Sequence, residues 1–418
     1  MALQIKNLRT EAKIAGWVER LARIQLFTQG GHHKCQSWPE IPMTSNLSSS
    51  KTNGFFVQLD SRILDERLSA LAALRELELR GQLGRSVKIG PILPSYNHIH
   101  TTASYGFAAP GVFSVAHMVW AAHEAHAYST IIIEHESVAH LEEAEIAVAI
   151  VNRGMTDPLR LILGVEFKAQ IALNDPDSRL FSNNIANFWG QGEAAWIVGV
   201  GAKPCAELTR LVGRFQEAKR VRASQQLAKL NRHLVLIPPL DQRAVLTPDG
   251  NVTDRLLCLT VAKAKWPDAD DATLARQAGE VRKLLNPGGA GYAPFPSNLP
   301  SYQELIHQLA RLGMTPTFTA QLRGQALAQA LPLLKSWGVE GLDVAGIEPD
   351  EPDAEQEIRQ FIKLAKQHGL ALFGGSDYRG VGTGWVKHSA WMDDLLIRAT
   401  IAGFSNREAH SAIVNTGN

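Results

Sequence analysis

Apolar residues recur at helical spacing over 8–26 (Ile14, Trp17, Val18, Leu21, Ile24), and an Arg/Leu/Glu-rich stretch over 61–81 predicts a second helix ending near Gly81. Between them, 38–54 is rich in Pro, Ser, Thr, Asn and Gly and reads as loop. From residue 86 the pattern changes to short apolar or β-branched runs, at 86–93, 129–134, 159–165, 315–319, 340–345 and 370–374, which predict strands. Helical stretches at 112–127, 138–152, 325–337, 353–368 and 388–402 alternate with them. Such alternation predicts a parallel sheet or barrel. It pauses over 171–313, where helical segments at 205–233 and 270–284, a turn at 247–251 and the loop 286–297 read as an inserted, mostly helical subdomain. The division expected is a helical N-terminal extension (1–88), a first barrel part (89–170), the insertion (171–313) and a second barrel part (314–418).

Composition adds exclusions. A chain of 418 residues with 45% hydrophobic and 20% charged residues can build a sizeable core, so wholesale disorder is excluded. Lys+Arg 42 against Asp+Glu 41 argues against a globally basic nucleic-acid binder. Cys35, Cys205 and Cys258 lie far apart, which leaves neither a disulfide framework nor a CxxC zinc ribbon. The start, MALQIKNLRTEAK, is charged too early for a signal peptide, and no run of about 18 apolar residues occurs. The expectation is a cytoplasmic chain with no membrane partner.

The most informative segment is His98-Ile99-His100-Thr101, after a strand-like run. In an extended chain, residues two apart point to one face, so two imidazoles would stand side by side as a metal site needs. Alone, the spacing also describes two exposed strand-end histidines. Further candidates close later strands, where parallel α/β folds gather their sites: Glu134-His135-Glu136, Glu166 and Asp377.

In order, HIHTTAS (98–104), IEHES (133–137), GVE (164–166) and GGSDYRG (374–380) resemble the PHP superfamily (polymerase and histidinol phosphatase domain) of metal-dependent phosphoesterases. The resemblance covers 89–170 and 310–385 and extends loosely into the insertion. It implies a PHP-like distorted (β/α)7 TIM-like barrel. Enzymes of that family hold three metals. The ligands retained here are His98, His100, His135, Glu166 and Asp377. Tyr105, Gln321 and Arg379 stand where further ligands are expected, and the His expected shortly after GVE is absent. The set His98, His100, Glu166 and Asp377 survives complete, which implies one divalent ion, with Zn²⁺, Mn²⁺ and Fe²⁺ all suited to nitrogen and oxygen donors and no organic cofactor.

With its partner ligands gone, His135 becomes a candidate proton carrier beside the metal or a hydrogen-bonded supporting residue. Arg379 is a candidate phosphate contact in place of a lost cation, or else the partner of Glu134 or Glu136. Arg323 is weaker and reads as a solvated loop residue. His117, His123, His126 and His140 fall on or near predicted helices without HExxH spacing, and His32, His33 and Cys35 fall in a loop. In the insertion, Arg210, Arg214, Lys219, Arg220, Arg222, Lys229 and Arg232 form a basic helix that could steer phosphates, although a solvated face is the commoner explanation. The Gly-Gly-Ala-Gly run at 288–291 follows a helix and is no phosphate cradle.

The expected function is metal-dependent hydrolysis of a phosphate ester or nucleotide, with nucleic acid a weaker partner. One alternative is a catalytically reduced PHP-like protein that binds a phosphorylated or anionic ligand. The other is an amidohydrolase-like single-metal hydrolase.

Overall fold

The computed structural model describes residues 50–83, 95–106, 112–124, 127, 129–189, 194–347 and 351–374. The expected elements at 8–26, 86–93 and 388–402 lie outside these residues, as do His32, His33, Cys35, His126, Asp377 and Arg379.

Two compact units divide the chain, Met1–Lys88 and Ile89–Asn418. The first contains α1 (Ser50–Gln58) and α2 (Leu64–Leu79). α1 begins inside the stretch 38–54 that reads as loop. α2 buries Leu68, Leu71 and Leu74, one face at a spacing of three, and Asp65 and Glu66 in its first turn suit the helix dipole.

The second unit runs β1 (Ser95–Ile99), α3 (Thr102–Tyr105), α4 (Val115–Glu124), β2 (Ser129–His135), α5 (Ala139–Val151), β3 (Arg160–Gln170), α6 (Pro176–Trp189) and β4 (Ala194–Val200). It continues through α7 (Ala206–Leu234), α8 (Asp254–Lys265), α9 (Asp271–Leu284), α10 (Tyr302–Arg311) and β5 (Thr315–Phe318). The last described elements are α11 (Gly324–Ser336), β6 (Gly341–Asp343), α12 (Ala354–His368) and β7 (Ala371–Phe373).

One curled seven-stranded sheet takes its strands in sequence order, β1 to β7. β1 to β3 are parallel, and so are β5 to β7. β4 runs against both neighbours, which corrects the all-parallel expectation and builds one strand of the span 171–313 into the sheet. Every residue of β2 is buried, as the run Ser-Thr-Ile-Ile-Ile requires of a parallel strand covered on both faces. At β6 a side chain is excluded: a Cβ on Gly341 would lie 2.5 Å from the Thr317 hydroxyl.

The helices of the span 171–313 have a core of their own, with Leu227 and Leu230 of α7 packed against Leu257 and Val261 of α8 and Val281 of α9. The basic residues of α7 hold this region together. Arg214 donates to the carbonyl of Asn298, Arg220 to Gly250, Arg222 to Ala293 and Lys229 to Tyr292. No helix among the described residues is long and apolar enough to cross a membrane.

Candidate metal centre

The site gathers at the C-terminal ends of β1, β2 and β6 and beside the interior of β3. β1 first departs from regular pairing: Tyr96 pairs with Thr130 but Ile99 with Ile132, so three steps along β1 answer two along β2. His98 sits in this irregularity with φ +51°, a conformation that costs a non-glycine residue about 1–3 kcal/mol and persists only where the surroundings fix it. The ring centroids of His98 and His100 stand 5.1 Å apart, edge to face. The expected neighbours do meet, but through a bulge and a left-handed residue in place of simple strand alternation.

The Thr and Ser of HIHTTAS staple the segment after β1 onto β2. Thr101 donates to Glu134 through its backbone N–H (3.0 Å) and its hydroxyl (2.5 Å), and the Ser104 hydroxyl donates to the same carboxyl group. Ser104 Oγ also accepts from the His135 N–H at 2.8 Å. Burial pushes the Glu134 carboxyl up to about 8 against the pull of these donors. Glu134 thereby ties the segment after β1 to β2.

Three residues converge beside it. His98, His100 and Glu166 are all buried and each offers a donor atom within 4.8 Å of the others'. The His100 Nε2 to Glu166 Oε2 distance is 3.7 Å, inside the roughly 4.2 Å that two bonds of about 2.1 Å to one ion can span. Two imidazoles and a carboxylate form a donor set that fits a divalent ion of borderline hardness. Glu166 does not end its strand as expected. β3 continues to Gln170 because β4 pairs with its second half, Lys168 against Trp196 and Gln170 against Ala194.

His135 stands next to this group. Its ring stacks on His100, with centroids 4.3 Å apart and planes 12° apart, and its Nδ1 lies 3.0 Å from Glu166 Oε2. The Tyr105 hydroxyl lies 2.9 Å from its Nε2, and Asn251, from the 247–251 turn, donates to its backbone carbonyl at 2.6 Å. Trp196 of β4 packs against the same ring, with centroids 4.9 Å apart, and Lys168 and Lys219 both approach the indole at 5.6 Å.

Positions where the resemblance expected further ligands carry other bonds. Tyr105 serves His135. Gln321 accepts from the Trp196 N–H at 2.6 Å and donates to the Trp196 carbonyl at 2.7 Å, holding β4 in place. Arg323 is no solvated loop residue: it pairs with Glu351 and donates to the Gly346 carbonyl at 2.7 Å. Glu136 is buried and paired with Lys219 of α7.

One residue that sequence reasoning missed enters the site. Asp343, the last residue of β6, places Oδ2 2.6 Å from Nδ1 of His98. Its signal was present, since it lies within the strand-like run 340–345 and obeys the strand-end rule that selected Glu166.

No protein-family model and no curated protein matches this chain. Among solved structures, a provisionally named metal-dependent phosphoesterase from Bifidobacterium adolescentis is 18% identical with a TM-score of 0.51, the match covering 74% of this chain and 97% of that one. An amidohydrolase from Chromobacterium violaceum, solved with bound sulfate and no metal, is 19% identical with a TM-score of 0.46, covering 74% and 96%. The first likeness establishes a shared fold.

Proposed function

We propose that this protein is a metal-dependent hydrolase acting on a phosphate ester or nucleotide, with one divalent ion (Zn²⁺, Mn²⁺ or Fe²⁺) held by His98, His100, Glu166 and, from the sequence, Asp377. The observation that carries the reading is the convergence of three buried donors, two imidazoles and one carboxylate. The bonds that Tyr105 and Gln321 make support one ion over three, because both side chains are committed to protein partners.

When bound, the ion supplies a polarised phosphoryl oxygen and a water of lowered pKa. The protein supplies the rest. Tyr105 and Asn251 hold His135 at the edge of the donor group, where its imidazole can pass a proton to the leaving group. Glu134 fixes the backbone that carries His100 and His135. Arg379, two residues beyond Asp377, is proposed to contact the substrate phosphate.

The test is elemental analysis of protein purified without added metal, beside a His98→Ala control, followed by a panel of phosphomonoesters, nucleotides and phosphodiesters. One equivalent of metal, lost in the control, and turnover of at least one phosphate ester are expected. Turnover of amides or lactones alone would transfer the assignment to amidohydrolase chemistry. Phosphate binding without turnover would make the protein a binder.

A further inference from the structure

We propose that Asp343 is the positioning residue of the site, acting through His98. The inference rests on the metal reading above and deepens it. Asp343 ends β6 and is itself clamped: its Oδ1 accepts from the Ala345 N–H at 2.8 Å, which aims Oδ2 at His98. Both side chains are almost fully buried, at 1% and 2% exposure, although they are 245 residues apart in sequence.

A carboxylate only accepts, so the 2.6 Å contact places the proton on Nδ1 of His98 and leaves the ligating lone pair on Nε2. Asp343 is not a member of the three-residue donor group. It therefore works from behind the imidazole, as the outer carboxylate of a carboxylate–histidine–metal relay that fixes tautomer and orientation and raises ligand basicity. His98 has particular need of such an anchor. Its left-handed backbone and the bulge around it mean that no regular strand geometry fixes its ring.

The role is tested by Asp343→Asn with two readouts. Zn²⁺ affinity, measured by competition with a chromophoric chelator, should fall about 10–100-fold. In ¹⁵N spectra of histidine-labelled, metal-free protein, with His98 assigned by its own substitution, the wild type should show the Nδ1–H tautomer and the variant a mixture. An unchanged affinity together with an unchanged tautomer would overturn the role. If the wild type binds no Zn²⁺, the metal reading fails, and the tautomer comparison still decides the positioning role. Should D343N not fold, Asp343→Ser, which keeps an acceptor for the Ala345 N–H, is read in the same two ways.

Discussion

The hydroxyl of Tyr105 lies 2.9 Å from Nε2 of His135, and both side chains are buried. The bond holds the imidazole against Glu166. If His135 moves a proton in the reaction, His135→Asn should lower kcat about 100-fold or more. Tyr105→Phe removes one hydrogen bond worth about 1 kcal/mol and leaves the imidazole in place, so a loss of roughly fivefold to tenfold is expected, with KM unchanged. Steady-state kinetics on a chromogenic phosphate ester separates the two. Equal losses would mean that His135 is supportive and does not carry the proton.

His135 and Glu166 also differ in what they do for the ion. Glu166 belongs to the converging donor group and His135 only touches it. Elemental analysis should find the metal lost from Glu166→Gln and His100→Ala but retained, near one equivalent, in His135→Ala. Loss in all three would make His135 a ligand and revive a site with more than one ion.

Much of this arrangement was legible in the sequence, because residues next to one another in a motif stay next to one another in a strand. His98, His100 and His135 follow apolar runs and were found that way, and Glu166 sits inside one. The motif could not reveal the bulge at His98, which depends on how β1 meets β2. Strand β4 was missed because Ala-Ala-Trp-Ile-Val-Gly-Val is a short apolar run that does not announce its direction, and its pairing with β3 and β5 exists only after folding. The link between Asp343 and His98 spans 245 residues, and no local pattern records it.

The basic helix of the insertion yields a stability prediction. Lys219 pairs with Glu136, which is fully buried and whose carboxyl is pushed up by burial, with the Lys219 ammonium opposing the shift. Lys219→Met leaves that carboxyl without its countercharge and should cost about 3–5 kcal/mol in chemical denaturation. Adding Glu136→Gln removes the stranded group and should restore most of the loss. A single variant as stable as the wild type would show that the pair is spent on a ligand instead of on the fold.

His140 gives the pH dependence. It lies on α5 with no exposed surface, and burial depresses its imidazole from the ordinary 6.5 to about 3. Between those values the unfolded chain binds a proton at this residue that the folded chain does not. Stability therefore rises with pH across the window, by up to about 1.4 kcal/mol per unit for one proton. The contribution is complete above pH 6.5 and is lost as pH falls, reaching about 2 kcal/mol by pH 5. Carboxylates titrate in the same acidic range, so the comparison must be with His140→Gln, which keeps them all and removes only this proton. Denaturation curves from pH 7 to 5 should show a shallower loss in the variant than in the wild type. Parallel curves would mean that the imidazole is protonated in the folded state and that its burial is compensated by a charge partner.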